Sequence, residues 1–262
     1  MRGITQLGES AWQQFDDLRY AAAVIGTVLC FSVRPRYWGR SIRELFARQV
    51  LAVGMEPLAF VSGVAVLVGI SLVVQLGFWT GQAGQSALLG PLLVTVVMRE
   101  LGPILTNIVV IVRSSSAMAT EMGVLKASGG VRELEAQGLD PFLHLVMPRV
   151  LGVAVATFCL TIVFIVVAFA SGYLFGSWRG TGSRNLWFFT NTVLHALRPQ
   201  DIAGIVVKSI LPGLFTSASC CVGGLGVSSS FTDIPRATQR ALTRSIAGLF
   251  VISAVVSLVS YL

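Results

Sequence analysis

PLAFVSGVAVLVGISLVVQLGFWTGQAGQSALLGPLLVTVVM, residues 57–98, contains no charged side chain. It is about twice the length of roughly 20 apolar residues that a helix needs to cross some 30 Å of hydrocarbon. Gly77, Gly81, Gly84 and Gly90 punctuate its middle. The stretch therefore reads as a membrane hairpin, with a first span near Leu58–Phe78 and a second beginning near Ser86. The second continues through Arg99, Glu100 and the helix-loosening Gly102-Pro103 to about Val112.

Working outward, further apolar runs follow the same rule. A third span is expected from about Val150 to Phe175, a fourth from Asp201 to about Gly223 with Lys208 inside it, and a fifth from Ser245 to Leu262. Upstream, the apolar run Ala21–Val33 is too short to span and ends at Arg34-Pro35-Arg36, so it predicts an interfacial or elbow helix. Behind it, Tyr37–Val53 sets Arg40, Arg43, Glu44 and Arg48 against Trp38, Ile42, Leu45, Phe46 and Leu51 at helical spacing, the pattern of a basic amphipathic helix on an anionic membrane face. Between Arg113 and Arg149 the chain is polar. There Val131–Gln137 suits a short exposed helix, and Asp140-Pro141 reads as an N-cap with a first-turn proline. The expected fold class is an all-α membrane protein: a single domain over residues 1–262, with an interfacial region at 1–56 and a five-helix bundle at 57–262.

Composition agrees. Hydrophobic residues make up 54% of the chain and charged residues 12%, about half the charged share of a soluble domain. The formal charge of +7 comes from basic residues set between apolar segments, with no continuous patch of the kind that holds nucleic acid. Fourteen Lys/Arg fall in the N-terminal region, the Arg113–Arg149 segment and the Arg236–Arg244 segment, against three in the remaining loops. The positive-inside rule places those segments and the N-terminus in the cytoplasm, and five spans then put the C-terminus outside, in the periplasm. Glu9, Asp16 and Asp17 interrupt the region where a secretory signal would carry its apolar core, so no cleaved leader is expected.

Several chemistries are not expected. Cys30, Cys159, Cys220 and Cys221 lie in apolar stretches and read as reduced packing residues. His144 and His195 have no ligands at metal spacing around them. No nucleophile stands beside a base, so no catalytic residue is expected. The Gly204–Ser209 stretch ends in Lys-Ser but lacks the glycine of a phosphate loop, so the chain itself should bind neither ATP nor another cofactor.

Charges inside spans are costly, about 2.5–3.5 kcal/mol each on insertion scales, and usually pair or face a cavity. Arg99, Glu100 and Lys208 therefore form either a structural ion pair between helices or a polar site on a transport pathway. If they line a pathway, spacing along the first span would set Leu67, Ile70 and Val74 against a lipid's acyl chains.

The block Arg99-Glu100-Leu101-Gly102-Pro103-Ile104-Leu105-Thr106, followed by Arg113, Ser116-Ala117, Glu121, Gly123 and Lys126, resembles the MlaE/YrbE permease family of MCE-associated ABC transporters. Gly138-Leu139-Asp140-Pro141, Val146-Met147-Pro148-Arg149-Val150-Leu151 and Ile234-Pro235-Arg236-Ala237-Thr238-Gln239-Arg240-Ala241 continue the pattern, as do Arg48-Gln49 and Gln75. Two places depart from it: Val112 and Ser115 stand where the family has glycines, and Ser128-Gly129-Gly130 replaces a Thr-Glu-Gln element. The resemblance implies the permease subunit of an ATP-driven transporter of phospholipid or another bulky lipid, working as a homodimer in the bacterial inner membrane. It further implies a separate cytoplasmic ATPase that holds ATP and magnesium, an MCE-domain protein outside, and in some systems a small STAS-domain protein. By the same carry-over Arg99, Glu100, Lys208 and Gln75 belong to the substrate pathway, and Lys126, Val131, Arg132, Glu133, Leu134 and Glu135 to the segment that docks on the ATPase. An ion- or proton-coupled secondary transporter, with the buried charges as a relay, is the alternative function. A purely structural membrane scaffold is a third.

Overall fold

The computed structural model describes residues 19–32, 34, 38–82, 89–179, 199–227 and 231–261. The turn read at Gly84 and the loop bearing Arg184, Trp187, His195 and Arg198 fall outside them. Among the described residues all regular structure is helical, and five helical stretches are long and apolar enough to cross a membrane. The chain is thus a multi-pass integral membrane protein of all-α class, as its sequence predicts. We label its helices α1 (Arg19–Ser32), α2 (Arg40–Met55), α3 (Leu58–Gln82), α4 (Pro91–Ala127), α5 (Gly130–Ala136), α6 (Phe142–Trp178), α7 (Pro199–Leu225) and α8 (Ile234–Tyr261).

The central helix is α7. In its most apolar window 72% of residues are buried, against 22% for the stretch containing α3 and 17% for that containing α8. It contacts α4, α6 and α8. With lipid as solvent, the exposed apolar faces of α3 and α8 need no water-facing cover, which is why Leu67, Phe78, Val251, Val255 and Leu258 can all be exposed.

Close approach between these helices relies on small residues, as expected where no hydrophobic force drives helices together in lipid. On α3, Gly69 lies so near the Ala168 carbonyl and Ser171 hydroxyl of α6 that a methyl group could not fit. Gly172 of α6 returns the contact: a Cβ there would lie 2.8 Å from Val73. A Cβ on Gly224 of α7 would lie 2.6 Å from the Ala119 carbonyl of α4.

The short elements are also where sequence places them. α2 carries its charges outward, with Arg40 and Glu44 paired one turn apart at 3.5 Å, and lays Gln49 and Val50 against Gly152 of α6. α1 sets Ala21 beside Phe215 and Ala218 of α7, and Phe31 beside Phe142 at a ring distance of 6.2 Å. Asp140 caps α6: its Oδ1 accepts the Phe142 backbone N–H at 2.9 Å. Cys220 and Cys221 are buried, whereas Cys30 and Cys159 are exposed.

Helices α4 and α6 contain widened π turns at Val94–Leu101, Ile111–Ser115 and Phe142–Val146. The first and third each end just before a proline, Pro103 and Pro148. A proline ring pushes away the carbonyl four residues earlier and has no N–H to offer it, so the turn before it opens.

Candidate lipid-facing charge cluster

The opened turn of α4 creates the site. Pro103 can give no hydrogen to the carbonyl of Arg99, its i−4 partner. That carbonyl instead accepts Lys208 Nζ from α7 at 2.8 Å. The arrangement is reciprocal: Pro212, inside α7, can give none to the carbonyl of Lys208, which accepts Asn107 Nδ2 from α4 at 3.3 Å. Asn107 Nδ2 also donates to the Pro103 carbonyl at 2.8 Å. Each helix supplies the donor that the other's proline lacks, so backbone groups that hydrocarbon would leave unsatisfied are paired.

Side-chain charges complete the cluster. Lys208 Nζ lies 2.7 Å from Glu100 Oε1, and the same oxygen accepts the Ser257 hydroxyl of α8 at 2.9 Å. Arg99 Nε lies 2.7 Å from Asp201 Oδ1 on α7. The side chains of Lys208 and Asp201 are each 4% exposed, those of Arg99 and Glu100 25% and 35%. Two cations and two carboxylates thus tie α4, α7 and α8 together near the start of α7 and the end of α8. The inner cation and the inner carboxylate each have an opposite charge in contact, without which burial would cost several kcal/mol per ion.

Arg99, Glu100 and Lys208 are therefore brought together, as their residue types require. The first-span residues are not added to them within one chain. α3 packs on α6 through Gly69 and Gly172, and Leu67, Val74 and Gln75 are exposed, with Ile70 half-buried. Nor does an apolar groove on the other side of α7 border the charges. Its volume is about 890 Å³ and it runs between α1, α7 and α8, lined by Ile25, Leu29, Ile210, Leu214, Val251 and Ile252, with Arg244 also on its wall. Asp201, Asn107 and Ser257 are members that sequence reading missed. Only Asp201 left a signal, since it lies two helical turns before Lys208 and so on the same face.

At the opposite end of the bundle, α4 runs through Lys126 into α5. Gly129 holds a left-handed turn (φ 85°) just before α5. Val131 is buried and Leu134 half-buried, while Lys126, Arg132, Glu133 and Glu135 are exposed. Arg149 at the base of α6 reaches Glu121 of α4 at 3.4 Å, and Thr120 of α4 lies 3.5 Å from Thr238 of α8. Buried Val131 and half-buried Leu134 anchor α5, and the exposed side chains at this end include the apolar Val124 and Leu139 as well as the charges of Lys126, Arg132, Glu133 and Glu135.

The family model described as Permease MlaE matches residues 46–259. A 202-residue stretch is 26% identical to a probable ABC transporter permease protein of Rickettsia felis, covering 77% of each chain. Over 203 residues, again 77% of each chain, the sequence is 25% identical to the intermembrane phospholipid transport system permease protein MlaE of Haemophilus influenzae. It is also 30% identical over 190 residues to the chloroplastic protein trigalactosyldiacylglycerol 1 of Arabidopsis thaliana, a match covering 72% of this chain but just over half, 54%, of that longer protein. With the match extending over most of its length and across both ends of the bundle, the chain belongs to the MlaE permease family of ABC transporters.

Proposed function

We propose that this chain is the membrane-spanning permease of an ATP-driven phospholipid transporter. Two copies form the translocation unit, a separate cytoplasmic ATPase binds ATP and magnesium, and an MCE-domain protein exchanges lipid with the permease on the far side. A small STAS-domain protein is a further partner of the ATPase side. The membrane is the bacterial inner membrane, with α5 in the cytoplasm and the end of α8 in the periplasm.

The observation that carries this reading is the match to the family over residues 46–259, together with a relative named for intermembrane phospholipid transport. The geometry supports the division of labour. Lys126, Arg132, Glu133 and Glu135 stand exposed around the Val131 anchor, a surface suited to docking a soluble protein. The Arg99–Glu100–Asp201–Lys208 cluster lies at the other end, where a lipid headgroup would meet charge and the exposed faces of α3 and α8 would meet acyl chains. Leu67, Ile70, Val74 and Gln75 of α3 take part through the second copy, whose arrival could bring that face to a shared cavity.

A photo-crosslinker at Glu135 in the complex expressed in cells tests both docking and orientation. It should capture the ATPase. Capture only from positions in the 180–198 loop would invert the topology, and lipid movement that persists without any ATPase would favour the ion-coupled carrier.

A further inference from the structure

Of the three widened turns in α4 and α6, two have a proline two residues past their end, Pro103 after Val94–Leu101 and Pro148 after Phe142–Val146. The third, Ile111–Ser115, has Ala117 at that place and no proline before Pro141. Another group holds it open. Ser116 Oγ donates to the Val112 carbonyl at 2.7 Å and to the Arg113 carbonyl at 3.1 Å, competing for acceptors that an α-turn gives to backbone N–H groups. Ser114 and Ser115 are buried, and their hydroxyls have no hydrogen bond among the described residues. Thr157, Ser209, Ser217 and Ser245, also buried, each bond the carbonyl four residues back. The open turn thus leaves two hydroxyls without the partners that α-turns elsewhere in the bundle supply, a state of raised energy.

What the open turn achieves is phase. A π turn closes its hydrogen bond one residue later than an α-turn and so takes up one extra residue. Before the turn, Asn107 meets α7 at the Lys208 carbonyl. After it, Ala119, Met122 and Gly123 meet α7 around Gly224. At 100° per residue an unbroken α-helix would set the second contact face roughly 110° away from the first, and the extra residue brings the two to within about 10°. The exposed residues follow the same count: Val112 and Arg113 before the turn and Ala117, Thr120, Glu121 and Val124 after it share the opposite side of α4. Giving that residue back rotates the second half of α4, and α5 beyond it, by about 100° against the half that carries Arg99 and Glu100.

We propose that the turn at Ile111–Ser115 is a movable joint, closing and reopening in the ATP-driven cycle so that motion of α5 reaches the charge cluster as rotation within α4. Closing gives Ser114 and Ser115 the Val110 and Ile111 carbonyls; opening keeps both halves of α4 on α7. Neither state holds every contact, which is what a two-state element requires. The proposal rests on the reading of the chain as an ATP-driven permease.

The test uses the full-length permease in complex with its ATPase, reconstituted in vesicles of phosphatidylethanolamine and phosphatidylglycerol. ATP hydrolysis is followed together with transfer of a fluorescent phosphatidylethanolamine to the MCE-domain partner. Two variants hold the joint in opposite states. Deletion of Ser115 removes the extra residue, giving an α-turn with both contact faces still on α7. Ala117→Pro places a proline where Pro103 and Pro148 stand after their turns, so this turn stays open. Each variant should keep its Tm within about 3 °C of wild type and transfer lipid at least about tenfold more slowly. A wild-type transfer rate in either variant overturns the proposal, and if one does not assemble the other decides. A third measurement needs neither variant nor lipid transfer. Ala119 is fully buried and turns outward when the joint closes, so in Ala119→Cys maleimide labelling of that residue, located by peptide mapping, should rise severalfold during ATP hydrolysis. Labelling that stays flat overturns the joint. A wild-type complex that hydrolyses ATP and transfers no lipid, while Ala119→Cys still shows the rise, overturns the transport reading alone.

Discussion

The two ends of the bundle handle charge in opposite ways. Around Lys208, two cations and two carboxylates sit among helices, and each has an opposite charge within 2.7 Å. Around α5, Lys126, Arg132, Glu133 and Glu135 stand exposed and enter no ion pair among the described residues. One end pairs its charges within the chain; the other leaves these four exposed. Removing a charge should therefore damage the fold at the first end and an assembly at the second.

The strongest way to break this comparison is Lys208→Ala. It leaves Glu100 without its cation, with the Ser257 hydroxyl still on Oε1, and the Arg99 carbonyl without its donor, so stability should fall by about 3 kcal/mol, read as a lowered Tm of the detergent-solubilised permease. Adding Glu100→Gln to it should recover much of that loss, because a neutral pair leaves no charge stranded. An unchanged Tm in the single variant would mean that the cluster is not part of the fold.

A smaller loss is expected from Asn107→Ala, which strips the donor from the Lys208 carbonyl and touches no charge. About 1–3 kcal/mol is the cost of leaving a buried acceptor unsatisfied. If Tm stays put, the reciprocal arrangement around Pro103 and Pro212 is incidental.

The smallest effect on stability sharpens the contrast most. Glu133→Lys with Glu135→Lys should move stability by no more than about 0.5 kcal/mol, as exposed substitutions usually do. Yet co-purification of the ATPase should drop several-fold. A fall in Tm of the isolated permease would show that this end, too, is closed within the chain.

How much of this was legible beforehand follows from the same physics. The spans could be read because hydrocarbon demands long uncharged runs, and Asp140-Pro141 could be read because a cap and a first-turn proline have a fixed local meaning. Arg99, Glu100 and Lys208 stood out because charge inside a span is expensive. Asp201 did not, since an acidic residue at the start of a helix also satisfies the helix dipole, and that ordinary role concealed its pairing with Arg99. Asn107 and Ser257 gave no signal, being small polar residues of a kind that helices in lipid carry throughout. Leu67, Val74 and Gln75 share a face of α3, but which neighbour that helix chooses is decided by glycines such as Gly69 and Gly172, and spacing along a single helix is silent on that.

The exchange of donors across Pro103 and Pro212 also bears on how the protein is made. Arg99 and Lys208 are 109 residues apart, so during synthesis α4 reaches the bilayer well before α7 exists. Until then its Arg99 carbonyl and its Arg-Glu pair lack the partners that α7 and α8 supply, and Asn107 has only the Pro103 carbonyl, each unsatisfied group costing several kcal/mol. α4 should therefore linger in the insertion machinery, or at the lipid headgroups, until α7 emerges. Truncation before Pro199 should yield a product that is degraded instead of a stable half-bundle.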